Sequence, residues 1–255
     1  MVSLNEDDGA LEHMNQFDRF QVLSFDCYGT LIDWEAGIRT ALRGWADRRR
    51  VTATDDELLR LFATFETRIE QGDRPAPLYP AVLAETLRRI GAVVGGEVDE
   101  VDAGTFGASV GDWPAFADST AALLRLQRRY RLVIVSNVDR ASFGASRRRL
   151  GVTFDRAITA DEVGAYKPQE PHFNALLAQI RSWGVDKGRL LHVAQSLFHD
   201  HEPAKRAGLA TVWIDRRHDR DGYGATPPPR AGSITPNWRF PSLAAFAEAA
   251  LPDLA

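Results

Sequence analysis

The sequence of 255 residues contains a single cysteine, Cys27, so no disulfide can form within the chain. That fits a reducing compartment, and the expected location is cytoplasmic. No apolar stretch approaches the roughly 20 residues that a membrane-spanning helix needs. The first 17 residues (MVSLNEDDGALEHMNQF) are acidic and lack the basic flank and apolar run of a secretory signal, so they read as a flexible tail. Charge of one sign is also scarce. The 31 Lys and Arg against 35 Asp and Glu leave a formal charge of −4, which gives no reason to expect nucleic acid as a partner. No internal repeat is found. What is present is an ordinary globular composition, 44% hydrophobic and 26% charged, in a chain long enough for one core carrying a smaller insertion.

Short apolar runs rich in β-branched residues lie at 20–25 (FQVLSF), 132–135 (LVIV), 157–159 (AIT), 190–194 (LLHVA) and 211–214 (TVWI). In the second half each is followed by a longer amphipathic segment, the pattern of a parallel sheet covered by helices in an α/β fold. The interval 34–112 has helical apolar spacing in ELLRLFATFETRIEQ and LYPAVLAETLRRIGAVV and no convincing strand. A parallel crossover needs only a dozen residues or so. The interval is therefore expected to be a separate helical cap, with 18–33 and 113–255 forming the core and Trp113-Pro114 marking the return. The stretch 218–237 (HDRDGYGATPPPRAGSITPN) reads as an irregular surface segment before a short last helix.

Four polar clusters fall at the ends of these runs. In FDCYGTL, Asp26 ends a strand, Gly29 permits a tight turn, and Thr30 can offer a hydroxyl to charge gathered at Asp26. In open α/β sheets ligands bind beyond the carboxyl ends of the strands. Taken alone, an acid after a strand is more often a turn or cap. Ser136 and Asn137 end the next run, with a helix N-cap near Arg140 as the plainer reading. Lys167 precedes Pro168, which could open a helix; a lone lysine is usually a solvated charge. HVAQSLFHD then supplies Gln195, Ser196 and Asp200. Four such clusters at four strand ends are much harder to ascribe to coincidence than any one of them.

FDCYGTL, IVSN, YKP and HVAQSLFHD together resemble, in order and roughly in spacing, the four motifs of the haloacid dehalogenase superfamily. The resemblance covers nearly the whole chain after residue 17 and implies a Rossmann-like core with an inserted helical cap. Asp-x-Tyr-Gly-Thr-Leu is similar to the first motif of type II (L-2-haloacid) dehalogenases. Phosphatases of the superfamily usually carry a second aspartate where this chain has Tyr28, and commonly another where it has Gln195. Both differences favour attack on carbon without a metal or cofactor over phosphoryl transfer.

The resemblance implies that Asp26 displaces halide from a short 2-haloacid to form an ester, which water then hydrolyses. Asp200 would orient or deprotonate the water, and Lys167 would keep Asp26 ionised. Thr30 and the backbone near Tyr28 would position Asp26 and stabilise developing charge. Ser136 and Asn137 would hold the substrate carboxylate or the leaving group, and Tyr28, Gln195, Ser196 and Trp34 complete the expected substrate-binding set; for Trp34, core packing is an equal reading. The implied partner is a small anionic organic substrate, with no nucleic acid or membrane, and a homodimer is the family's suggestion.

The chain departs from the dehalogenase pattern in several places. No clean match exists for the halide-cradling arginine, for which Arg60 and Arg68 are the candidate substitutes; Phe173 replaces a tyrosine, and Gln195 and Leu197 replace Ser and Asn. The alternatives are a Mg²⁺-dependent phosphatase or phosphonatase, with Asp26, the Tyr28 carbonyl, Asp200 and Gln195 around the metal, a hydrolase of the same mechanism acting on another substrate, and a non-catalytic binding scaffold. His199 and His201 flank Asp200 but are more readily a loop and helix start than metal ligands. Cys27 reads as a buried small residue. Arg216 and Arg217 read as solvated charges, either of which could reach an anion.

Overall fold

The computed structural model describes residues 15–72, 76–220, 222, 224–229 and 234–252. Strand β1 (Val22–Phe25) is followed by four helices, α1 (Trp34–Arg48), α2 (Asp55–Glu70), α3 (Tyr79–Val94) and α4 (Glu100–Ala108). After a short 3-10 turn (Ser109–Asp112) and α5 (Ser119–Leu126), the chain returns to the sheet with β2 (Arg131–Ser136). Then come α6 (Arg140–Leu150), β3 (Arg156–Thr159), the single turn α7 (Ala160–Val163), α8 (Pro171–Ser182), β4 (Leu190–Ala194), a π-helical turn (Leu197–His201), α9 (Glu202–Arg206), β5 (Ala210–Ile214), β6 (Trp238–Phe240) and α10 (Leu243–Ala250). All strand pairs are parallel, in the order β3-β2-β1-β4-β5-β6.

The central strands are buried on both sides, which is why each reads as an unbroken apolar run. Alternate residues serve opposite layers. Leu23, Phe25, Leu132, Ile134, Leu191 and Val193 join one core with α1–α3, α5 and α10, whereas Val22, Val133, Val135 and Leu190 pack with Phe173, Leu176 and Ile180 of α8 on the other. The expected runs coincide with β1–β5. Strand β6 escaped the sequence pattern because it has only three residues, all partly or wholly exposed, at the edge of the sheet.

The helices between β1 and β2 begin and end at sequence signals. Asp33 caps α1 by accepting from Ala36 N at 3.1 Å, and Thr54 caps α2 above a first turn holding Asp55, Asp56 and Glu57. Gly95, at φ +74°, closes α3 in the left-handed conformation. The chain leaves and rejoins the core at one place: Ile32 bridges Ala115, Asp33 N donates to Pro114 O at 2.8 Å, and Phe116 N donates to Leu31 O at 3.1 Å. Trp113 is buried there, edge-on to Tyr28 and Tyr79.

Of the expected N-terminal tail, residues 1–14 lie outside the described residues. Phe17 belongs to the core instead, packed against Trp238 and Phe246 with ring centroids 5.0 and 5.5 Å away. The expected irregular segment 218–237 has residues 221, 223 and 230–233 outside the description, but it is not wholly superficial. Ala225 and Thr226 are buried, and Ala225 N donates to Glu35 Oε1 at 2.7 Å. Among the described residues no helix is long and apolar enough to cross a membrane.

Two glycines of α1 test the junction. A methyl group at Gly37 would stand 2.3 Å from the Trp113 ring, whereas one at Gly44 would meet only Arg48 Nη1, at 3.6 Å. Urea unfolding is expected to show Gly37→Ala destabilised by about 1–3 kcal/mol from overpacking. Gly44→Ala, gaining helix propensity without a clash, is expected to be stabilised by up to about 1 kcal/mol.

Candidate active site

The carboxyl ends of β1, β2 and β4 converge on a small cavity of about 40 Å³. Since one water takes about 10–15 Å³ on this scale, there is room for a ligand of only a few heavy atoms. Asp26, Tyr28, Trp34, Ser136, Asn137, Lys167, Gln195, Ser196 and Asp200 all line it, as the sequence led us to expect. Thr30 stands just behind, buried against Asp26. Glu66, Glu70, Tyr79, Val138, His199 and Thr226 complete the wall.

The centre of the arrangement is the Lys167 ammonium. It donates to Asp26 Oδ1 at 2.9 Å, Asp200 Oδ1 at 2.7 Å and the Val135 carbonyl at 2.8 Å, which uses all three of its hydrogens. Burial alone would depress its pKa, but the two facing carboxylates hold it above the ordinary lysine value. Asp26 is raised above the usual aspartate value by burial and by the charge of Asp200, against the opposing pull of Lys167 and Thr30. Asp200 goes the other way. Burial would raise it, yet Lys167 and His192 together bring it well below the ordinary range. Its Oδ2 is buried without a hydrogen-bond partner and is left over for a ligand or a water.

The supporting bonds explain the motifs. Thr30 Oγ1 donates to Asp26 Oδ2 at 2.7 Å and accepts from Gln195 N at 2.9 Å, tying the loop after β1 to the loop after β4. Gly29, at φ +92°, makes the turn between them; a side chain there would crowd Gln195 Oε1 and Trp34 Nε1, each 3.1 Å from its Cβ position. Asn137 does not cap a helix, which is the work of Asp139. Its amide accepts from Lys167 N at 2.7 Å and donates to Lys167 O at 3.3 Å and Glu70 Oε2 at 3.1 Å. It therefore holds the backbone of the lysine rather than pointing a free amide at a substrate. Ser196 likewise caps the π-helical turn, accepting from His199 N at 2.9 Å. Pro168 does not open a helix; α8 starts at Pro171.

Other expectations fare differently. Arg60 and Arg68 are exposed and absent from the cavity wall, because the inner face of α2 is formed by Leu58, Leu59, Phe62, Glu66 and Glu70. Arg216 bonds the Thr30 carbonyl at 2.8 Å and Asp118 at 2.9 Å, while Arg217 pairs with Glu35 at 3.1 Å. Both brace the loops without lining the cavity. Burial pushes the Cys27 thiol well up, which keeps it neutral. Burial also presses His199 and His201 down to about 4, and His201 Nε2 faces the Ala194 carbonyl at 3.0 Å. Among the described residues no three His, Cys, Asp or Glu converge in a group that could hold a metal ion. The donors of the Mg²⁺ alternative fit poorly, since Asp26 and Asp200 Oδ1 are engaged by Lys167 and Thr30, and Gln195 Oε1 accepts from Thr226 at 3.2 Å.

The sequence reading missed His192 and the pair Glu66 and Glu70. His192 lies inside an apolar strand, where its Nδ1 meets Ser24 Oγ at 2.9 Å and its Nε2 meets Asp200 Oδ1 at 3.1 Å. The signal for the glutamates was their spacing. They continue the stripe of Leu58 and Phe62 at four-residue intervals, where another apolar residue would be expected.

Removing the lysine leaves two buried carboxylates without their cation. Lys167→Met is expected to cost about 3–5 kcal/mol in urea unfolding at neutral pH. Asp26→Asn, which keeps the Lys167–Asp200 pair, is expected to cost less than about 2 kcal/mol.

No curated protein matches the chain by sequence. Several solved structures match its fold. A defluorinating L-2-haloacid dehalogenase superposes with a TM-score of 0.74 at 19% identity, over 89% of this chain and 94% of that one. The L-2-haloacid dehalogenase of Xanthobacter autotrophicus gives 0.73 at 17% identity, over 92% and 100%. YfnB of Bacillus subtilis, solved bound to magnesium, gives 0.70 at 20% identity, over 88% and 96%. Residues 20–208 match the sequence model of haloacid dehalogenase-like hydrolases, a span that includes all four motifs and every strand of the central sheet as far as β4. The chain is a member of the haloacid dehalogenase-like hydrolase family.

Proposed function

We propose that Asp26 is the nucleophile of a two-step hydrolysis, displacing a leaving group such as halide from a short organic acid. A carboxylate oxygen of Asp26 forms a bond to the substrate carbon while the carbon–halogen bond breaks and its electron pair leaves with the halide. Water then attacks the carbonyl carbon of the resulting aspartyl ester, releasing the hydroxylated product and regenerating Asp26. The observation that carries this reading is the Lys167 ammonium shared by Asp26 and Asp200 at the wall of a small cavity. It opposes the burial that raises the Asp26 pKa and so favours the ionised form, and a carboxylate of raised pKa is the better nucleophile.

Asp200 Oδ2, unengaged and well below the ordinary pKa range, is suited to orient the hydrolytic water. Thr30 and the loop from Tyr28 aim Asp26 by the bonds described above. Phosphoryl transfer is less well supported. Tyr28 sends its hydroxyl to Ser146 Oγ at 2.8 Å, and burial raises its pKa further, so it is a poor proton donor to a leaving alcohol. The four helices 34–108 are read as a cap whose α2 and α3 supply the roof of the cavity and exclude water.

Halide release should be measured from chloro-, bromo- and fluoro-substituted short acids, with and without EDTA. Turnover is expected to survive EDTA and to fall at least about a thousandfold in Asp26→Asn. Loss of activity in EDTA, or retention in Asp26→Asn, would sink the reading. Asp200→Asn is expected to form the ester faster than it hydrolyses it, so intact-mass analysis should show the chain heavier by the substrate less its halide. Attack needs Asp26 ionised, and its pKa is raised. The acid limb of kcat/KM is therefore expected above the 3.8 of an ordinary aspartate, with activity rising as pH increases through it.

A further inference from the structure

The roof of the cavity is acidic. Glu66 and Glu70 stand one turn apart on the inner face of α2, each only 5% exposed, and both border the cavity. Glu66 Oε1 accepts from Tyr79 OH at 3.2 Å, and Glu70 Oε2 accepts from Asn137 Nδ2 at 3.1 Å. Glu70 Oε1 is buried and has no partner, like Asp200 Oδ2 on the opposite wall. With Asp26 and Asp200 the cavity has four carboxyls, and among the described residues no arginine lines it. Its one ammonium, Lys167, is already spent on the two aspartates.

Two buried carboxyls without a cation carry a desolvation penalty that a hydrophobic pair at the same positions would not. A cationic ligand group would relieve it, with the orphaned Glu70 Oε1 as a ready acceptor, whereas a simple anion would meet four acids. We propose that Glu66 and Glu70 recognise a protonated amine, so that the short acid turned over in this pocket also carries an ammonium group at the end away from the carbon that Asp26 attacks. The proposal rests on the nucleophile reading only for the placement of that other end.

The titration of the roof supplies a signature. Burial pushes Glu66 up to about 7 and Glu70 well above the ordinary glutamate value, with the mutual repulsion of the pair adding to Glu70. Of the other groups around them, Asp26 is raised by burial, and the remainder hold their charge through this range. Tyr79 and Tyr166 are pushed up and stay neutral, Lys167 stays charged, Asp200 stays ionised, and His199 stays neutral. A bound ammonium favours the ionised carboxyl, so binding should expel a proton and tighten as pH rises.

The test is calorimetric titration of the full chain with ethylammonium chloride and, separately, sodium propionate, at pH 6 and pH 8 in buffers of different ionisation enthalpy. Ethylammonium is expected to bind more tightly than propionate and about tenfold more tightly at pH 8 than at pH 6, as Glu66 goes from about one-tenth to about nine-tenths ionised around a pKa of about 7. It should release protons on binding and weaken at least about tenfold in Glu66→Gln and in Glu70→Gln, each checked for folding by circular dichroism. Tighter binding of propionate, no binding of ethylammonium, or ethylammonium affinity indifferent to pH in the unaltered chain would each overturn the proposal, as would unchanged affinity in both folded variants. These wild-type readings stand even if a variant fails to fold. Equilibrium binding does not use the chemistry of Asp26. Amine recognition can therefore fail while Asp26→Asn still abolishes turnover, and the converse result would remove the nucleophile and leave the amine site.

Discussion

Almost everything in the site depends on one buried ammonium group held between two buried carboxylates. Without Lys167, the like charges of Asp26 and Asp200 would oppose each other in a low-dielectric wall, and one would take up a proton. With it, the two face the cavity with unequal character, Asp26 raised and Asp200 lowered in pKa. Three parts of the chain are needed to keep that cation in place. The β2 end contributes the Val135 carbonyl, Asn137 clasps the lysine backbone, and the π-helical turn after β4 brings Asp200. The sheet order places these parts side by side, with β1 between β2 and β4.

The frame of this arrangement was legible in the sequence because it follows from burial. Strands β1, β2 and β4 are covered on both faces and so appear as continuous apolar runs, and Asp26 and Asp200 stand out because they follow such runs. The helical stretch after the first motif was equally plain, since its apolar period is carried by long helices. Strand β6 was not, because three partly exposed residues at an edge leave no period to read.

What stayed hidden were relations between residues far apart in the chain. Nothing local shows that Asn137 would turn toward the Lys167 backbone, 30 residues away, or that Thr226, inside a stretch full of Gly and Pro, would reach the side chain of Gln195. His192 was concealed for the opposite reason, since a single histidine in LLHVA is absorbed by its apolar neighbours. Arg60 and Arg68 attracted notice by their charge, but on a helix of 3.6 residues per turn they lie roughly opposite the face that carries Phe62, Glu66 and Glu70. Reading the acids as members of the apolar stripe, rather than the arginines as free cations, would have pointed to the roof.

The bridge between Ile32 and Ala115 joins the two ends of the helical insert at a single point on the core. A segment attached in this way leaves the strand order and the register of the sheet untouched, whatever its own length or shape. The cavity wall is thereby drawn from separable stretches of chain: Asp26, Lys167 and Asp200 come from the segments that follow the strands, while Glu66, Glu70 and Tyr79 come from the helices between β1 and β2. Because Ile32 and Ala115 are neighbours in space, a different segment could span the same two ends without moving the strands beneath it.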